Sequence, residues 1–138
     1  NIIQTEKRNE YSLLSRCKTF SYFQSILALT EANKNNFDDA LMLNTKNELC
    51  CGTTFNLLLK RKDIWLTPRK ESGCLPGIMV NQLLKLKKAK EDYLLPIFQE
   101  DDILIAVNSM TCRQIKQVGD LKFKTYYDIN SFWEMLYI

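Results

Sequence analysis

Asp102-Ile-Leu-Ile-Ala-Val-Asn108 is a short apolar run between polar turn residues, and it reads as the clearest strand in the chain. Downstream, Arg113–Val118 and Leu121–Lys124 joined at Gly119-Asp120 read as a hairpin. Asp128–Tyr137 reads as a terminal helix with Asp128 as N-cap. Upstream, Leu94–Phe98 reads as a strand that Pro96 confines to an edge. Ile78 to Asp92 carries an amphipathic stripe of Ile78, Met79, Leu83, Leu84, Leu86 and Ala89, which predicts a helix. Asn56-Leu-Leu-Leu-Lys60 and Ile64-Trp-Leu-Thr67 flank Arg61-Lys-Asp63 as an earlier hairpin, closed by Pro68. Before it, Asp39-Ala-Leu-Met-Leu-Asn44 is a strand, and Thr45-Lys-Asn47 turns into Glu48-Leu-Cys-Cys51. Phe20, Phe23, Ile26, Leu27, Ala28 and Leu29 fit a helix from about Lys18 to Asn33, ended by Asn33-Lys-Asn-Asn36. Residues 1–14 have no period and read as a lead-in or interdomain linker. Helices interrupting hairpin-rich β segments predict an α/β mixed (α+β) fold, not a doubly wound parallel sheet.

The 138 residues are 46% hydrophobic and 25% charged, the balance of one globular domain or a piece of a larger one. Histidine is absent, which excludes Ser-His and Cys-His nucleophile pairs and any His-ligated metal from this chain. No metal site is expected, and chemistry falls to lysine, carboxylate, cysteine and tyrosine. A net charge of +3, with no basic block, gives no case for nucleic acid. No apolar run approaches the ~20 residues that span a bilayer, so no membrane partner is expected. The five cysteines stand at 17, 50, 51, 74 and 112 without a C-x-x-C, and read as free thiols in a reducing, cytoplasmic setting. The opening Asn1-Ile-Ile-Gln-Thr-Glu-Lys-Arg8 has neither an initiator methionine nor a signal peptide, and suggests a start inside a longer protein.

Three places hold more chemistry than packing requires. Gly73-Cys-Leu-Pro-Gly-Ile-Met79 bends directly before a helix, whose first N–H groups suit a phosphate; it also reads as an ordinary loop. Asn108-Ser-Met-Thr111 ends the strongest strand, where small hydroxyl residues either donate to an anion or cap a turn. Lys18, followed by Tyr22, is one of fourteen lysines, and becomes a nucleophile only where its amine is held neutral.

In this order and separation the three places resemble the C-terminal domain of the class IV (fold-type IV) pyridoxal-phosphate enzymes. That family includes branched-chain and D-amino-acid aminotransferases and aminodeoxychorismate lyase. The resemblance runs from about Ser15 to Lys124. It rests on Lys18-Thr-Phe-Ser-Tyr22, Ala32, Asp39–Asn44, Gly52-Thr-Thr-Phe-Asn56-Leu, Thr67-Pro68, Gly73-x-Leu-Pro-Gly77-Ile and Val107-Asn-Ser109. It implies a mixed sheet curled into a pseudo-barrel with outer helices over residues 15–138, the family's N-terminal domain being absent from this chain. It further implies a pyridoxal 5'-phosphate cofactor, an amino-bearing small-molecule substrate transformed through a lysine aldimine, and a homodimer. Lys18 falls on the family's Schiff-base lysine, and Tyr22 near a tyrosine that bonds the cofactor's phenolic oxygen. Gly77, Ile78 and Met79 fall on the phosphate-holding helix start, and Ser109, Met110 and Thr111 on the second phosphate loop.

One departure concerns the cofactor ring. The family's Glu-Gly-Thr-x-x-Asn is here Cys51-Gly52-Thr53-Thr54-Phe55-Asn56. The glutamate keeps the pyridine nitrogen protonated, and a neutral thiol at Cys51 supplies no such charge. Glu48 lies three residues upstream, on the opposite face of an extended strand unless a bulge intervenes. The loss would cost on the order of 10²–10³ in rate. The resemblance therefore supports either an aminodeoxychorismate lyase-like or aminotransferase activity, or a non-catalytic relative that keeps the fold. Arg16 and Arg113 remain for anion recognition or for surface ion pairs. Phe20, Phe23, Trp65 and the stretch Phe132 to Tyr137 read as core, or as a face that another surface covers.

Overall fold

The computed structural model describes residues 1–136, so Tyr137, the predicted end of the last helix, lies outside the described residues. The chain is mixed α/β, as its pattern predicts. Helix α1 (Phe23–Lys34) is followed by β1 (Leu41–Leu43), β2 (Leu49–Gly52), β3 (Asn56–Arg61) and β4 (Ile64–Pro68). Then come α2 (Ile78–Lys85), β5 (Lys90–Asp92), β6 (Ile103–Val107), β7 (Cys112–Ile115), β8 (Gln117–Val118), β9 (Leu121–Lys122) and α3 (Ile129–Glu134). The main sheet has the order β5-β4-β3-β6-β7, with β1-β2 and β8-β9 as separate antiparallel pairs.

Strand β6 is buried along its whole length because both of its faces are covered. Alternate side chains go to opposite faces of a strand. Leu104 and Ala106 therefore join Leu57 and Leu59 of β3 in a core shared with Leu41, Leu43, Leu49 and Val118. That core draws on all three sheets, the arrangement that a curled sheet requires. Ile103, Ile105 and Val107 face the other way, with Leu58, against Val80 and Leu83 of α2 and Phe132 of α3. Asp128 caps α3 as the sequence predicts, its carboxylate accepting from Asn130 N at 3.1 Å.

Four elements differ from the sequence pattern; one is Arg113–Val118, which divides into β7 at the edge of the main sheet and β8 in its separate pair with β9. Helix α1 begins at Phe23, not Lys18; Lys18 to Tyr22 is an irregular, exposed stretch after a 3-10 turn over Leu13–Arg16. Helix α2 stops at Lys85, short of Asp92. Lys87 takes φ +56°, and Lys90–Asp92 leaves the helical path to pair in parallel with β4. Leu94 to Phe98 is not a strand; the Leu94 carbonyl accepts from Leu49 N at 2.7 Å, and Ile97 N turns back to Leu95 O.

Residues 1–10 run beside β1. Ile3 N donates to Leu41 O and Arg8 N to Leu43 O, both at 2.9 Å. Ile3 is fully buried, and the buried Glu10 carboxylate accepts from Thr45 Oγ1 at 2.7 Å.

Candidate functional site

Three loops converge at one end of β3 and β6, where Asn56 pairs with Val107. Asn56 Nδ2 donates to Leu75 O at 2.7 Å, holding the loop that leads into α2. A Cβ on Gly77 would lie 1.9 Å from Asn56 Oδ1, so only glycine lets that carboxamide seat against the helix start. No side chain caps α2, which leaves its first N–H groups for an anion. The loop after β6 is tied in by Asn108, whose Nδ2 donates to Thr54 O at 3.2 Å.

The phosphate residues that the resemblance implies lie on two of these loops. Gly77 is the N-cap of α2; Ile78 is exposed and Met79 half-buried in its first turn. Ser109, Met110 and Thr111 are exposed on the adjoining loop. Within that loop Asn108 Oδ1 accepts from Met110 N at 2.9 Å, Thr111 N at 2.8 Å and Thr111 Oγ1 at 3.2 Å. Those donors are committed to an Asx turn, and the Ser109 hydroxyl is the one not drawn into it.

Cys51 lies immediately before this end, buried on β2. The pairing of β1 with β2 slips there: Met42 faces Cys51 while Leu43 faces Leu49, so Cys50 is the extra residue of a bulge. The bulge does not deliver Glu48. Its Oε2 accepts from the buried Asn44 Nδ2 at 2.7 Å, fixing the carboxylate at the β1–β2 turn. The Cys50 thiol donating to Cys51 holds it below the ordinary thiol range; burial opposes this and the nearby charge of Arg8 reinforces it.

Lys18 and Tyr22 stand apart from the loop cluster. Lys18 is exposed, and Tyr22, half-exposed, is the N-cap of α1 with its carbonyl accepting from Ile26 N. What carries their segment toward the site is Arg8, which no motif in the sequence marks. Its guanidinium donates to Ser15 O at 3.1 Å, to Gln24 Oε1 of α1 at 3.1 Å and to Gly73 O at 3.5 Å. One side chain thus joins the approach to Lys18 with the loop that feeds α2. Its sequence neighbourhood, Lys7-Arg8-Asn9, gives no signal for this role. Gly73 is held in the left-handed region (φ +95°), where a Cβ would come within 3.0 Å of Glu10 Cα. Of the two arginines considered for anions, Arg113 pairs with Asp39 at 3.3 Å. Arg16 donates to Glu10 O at 3.2 Å, and its buried Nε has no partner among the described residues.

The family model described as amino-transferase class IV matches residues 1–118. The chain belongs to the class IV aminotransferase family. A crystal structure assigned as a 4-amino-4-deoxychorismate lyase, from Legionella pneumophila, is 27% identical with TM-score 0.84, over 98% of this chain and 53% of that one. The branched-chain amino acid aminotransferase of Thermobaculum terrenum, solved in its PLP form, shares the fold at 23% identity and TM-score 0.80, over 88% of this chain and 43% of that one. A branched-chain-amino-acid aminotransferase-like protein of Arabidopsis thaliana is 32% identical over 91 residues, 66% of this chain and 16% of its own length. This class IV chain spans about half the length of those structures and far less of the Arabidopsis relative.

The class IV fold implies pyridoxal 5'-phosphate, and the start of α2, which no side chain caps and which Asn56 orients through the Leu75 carbonyl, suits its phosphate. Where the resemblance places a carboxylate, this chain has the buried Cys51 thiol.

Proposed function

We propose that this class IV chain is the cofactor-binding domain of a pyridoxal-phosphate enzyme acting on an amino-bearing small molecule. The observation that carries the reading is the convergence of the Gly77 and Asn108 loops at Asn56, beside an uncapped helix start suited to a phosphate. When bound, the cofactor supplies an electron sink for the charge left as a proton leaves the substrate α-carbon. In this reading the amides of Ile78 and Met79 and the Ser109 hydroxyl hold the phosphate. Lys18 attaches the cofactor and moves the α-proton, and Tyr22 orients the phenolic oxygen. Cys51 stands at the ring nitrogen.

A lysine amine acts as a nucleophile or base only when desolvation keeps it neutral. The proposal therefore requires a surface that covers Lys18. Leu13, Leu14, Phe20 (105% exposed) and Phe23 (68% exposed) support one, as apolar side chains open on either side of it in the chain. We assign that cover to a homodimer or to the half of the fold that the chain does not span. The five free thiols support a reducing, cytoplasmic setting.

Lyase activity of the aminodeoxychorismate type is favoured by the Legionella structure, which matches nearly the whole chain. Transamination is the second reading, favoured by the Arabidopsis relative. The test is incubation with pyridoxal phosphate, borohydride reduction and peptide mapping. Label confined to Lys18 supports the enzyme. Scattered label, or none, overturns it and leaves a non-catalytic relative that keeps the fold.

A further inference from the structure

Cys50, Cys51 and Cys74 share one apolar cluster with Ala28, Ala32 and Met42, and all are free thiols. Cys50 is the bulged residue of β2 and packs in one cluster with both other thiols. The Cys74 thiol, on the loop after Gly73, donates to Arg69 O at 3.4 Å. Among the described residues the three do not form a metal site. Their exposures differ: Cys50 is at 0%, Cys74 at 5% and Cys51 at 8%. Hydrogen bonds to Cys51 and Cys74, with burial, push the Cys50 thiol up, while its bond to Cys51 and the nearby charge of Arg8 hold that thiol down against burial.

We propose that this cluster is an oxidation site for small hydroperoxides, with Cys51 oxidised first and a Cys50–Cys74 disulfide as the stable product. The Cys51 thiolate attacks a peroxide oxygen: the S–O bond forms, the O–O bond breaks, and the departing oxygen takes a proton and leaves as water or alcohol. Cys50 then attacks the sulfenic sulfur, and its proton leaves with the expelled hydroxide as water. Adjacent Cα atoms are about 3.8 Å apart, while a disulfide prefers roughly 4.4–6.8 Å. The Cys50–Cys51 bond is therefore strained. Cys74 attacks the Cys50 sulfur, displaces the Cys51 thiolate and closes Cys50–Cys74. In total one peroxide is reduced and two thiols are oxidised. The bond ties β2 to the loop that feeds α2. It needs no cofactor, so its failure leaves the proposed enzyme untouched.

The test treats the Cys17→Ser chain, free of its exposed thiol, with hydrogen peroxide and maps tryptic peptides without reduction. Residues 47–60 hold Cys50 and Cys51, and residues 71–85 hold Cys74. The expected result is a cross-link between these two peptides that dithiothreitol reverses. Cys50→Ser and Cys74→Ser should abolish it, and Cys51→Ser should slow it at least about tenfold. A cross-link that survives Cys50→Ser, or forms as fast in Cys51→Ser, overturns the assignment. So does recovery of both peptides as free thiols from the Cys17→Ser chain, an outcome that needs no variant of the cluster to fold.

Discussion

Gly77 shows how little room the anion cradle leaves. Gly77→Ala drives a methyl into the Asn56 carboxamide and displaces either that side chain or the helix start. Losing a hydrogen bond to a charged group costs about 1.5–3 kcal/mol. We expect pyridoxal phosphate to bind Gly77→Ala roughly 10-fold or more weakly, with little change for pyridoxal, which lacks the phosphate. Titration of the two ligands by absorbance decides it; equal losses would place the phosphate elsewhere. Arg8→Gln removes a guanidinium that holds neutral acceptors on two loops and a helix. It should cost about 1–3 kcal/mol of stability, and lower borohydride labelling at Lys18 more than it lowers phosphate affinity. Labelling yield set against the pyridoxal phosphate Kd separates the two effects.

At the level of elements, the main sheet is fastened to its loops by Asp102. The carboxylate accepts from Arg61 of β3 at 2.9 and 2.6 Å and from Gln99 N at 2.7 Å. Burial pushes this carboxyl up, but those hydrogen bonds and the Arg61 charge outweigh it and hold it below the usual range. A depressed folded pKa means stability that is complete above the unfolded value of about 4 and is lost as pH falls through the folded one. Glu10 acts in the same direction, since burial pushes it up but its Thr45 bonds prevail and hold it down. Urea unfolding as a function of pH should therefore show stability falling below about pH 4. A midpoint that stays constant on acidification would contradict the assignment. Asp102→Ala should remove about 2–4 kcal/mol at neutral pH, since it strips the half-buried Arg61 of its partner.

Across the whole molecule, apolar surface is unevenly covered. Trp65 and Phe132 are core, while Tyr11, Leu13, Leu14, Phe20, Phe23 and Ile26 are open on the approach to α1 and on that helix. Helix α1 buries only Ala28 and Ala32, against the thiol cluster. Small residues let the helix lie close to the body but leave its larger side chains outward. Sedimentation should reveal concentration-dependent association of the chain, which Phe20→Ser combined with Phe23→Ser weakens. A monomer at every concentration would remove the homodimer half of the proposal.

Local pattern by itself determined the mixed class, the strands β1, β3, β4 and β6, the Asp128 cap and the loops on either side of the site. Apolar alternation and turn chemistry act over a few residues, so they are written where they operate. The places of Gly77 at a helix start and of Ser109 after a strand were legible for the same reason, while a part for them in binding came from the family resemblance. Tertiary structure decided the rest. Lys85 to Asp92 is helical by composition, but pairing with β4 and the left-handed Lys87 redirect it. Lys18 to Tyr22 has helix-forming neighbours, yet it stays outside α1. Arg8 reaches from the segment beside β1 to Gly73, a contact between residues far apart in the chain that no local spacing encodes. The meeting of Cys50 and Cys51 with Cys74 is of the same kind, because it depends on a one-residue bulge and on where a distant loop comes to rest.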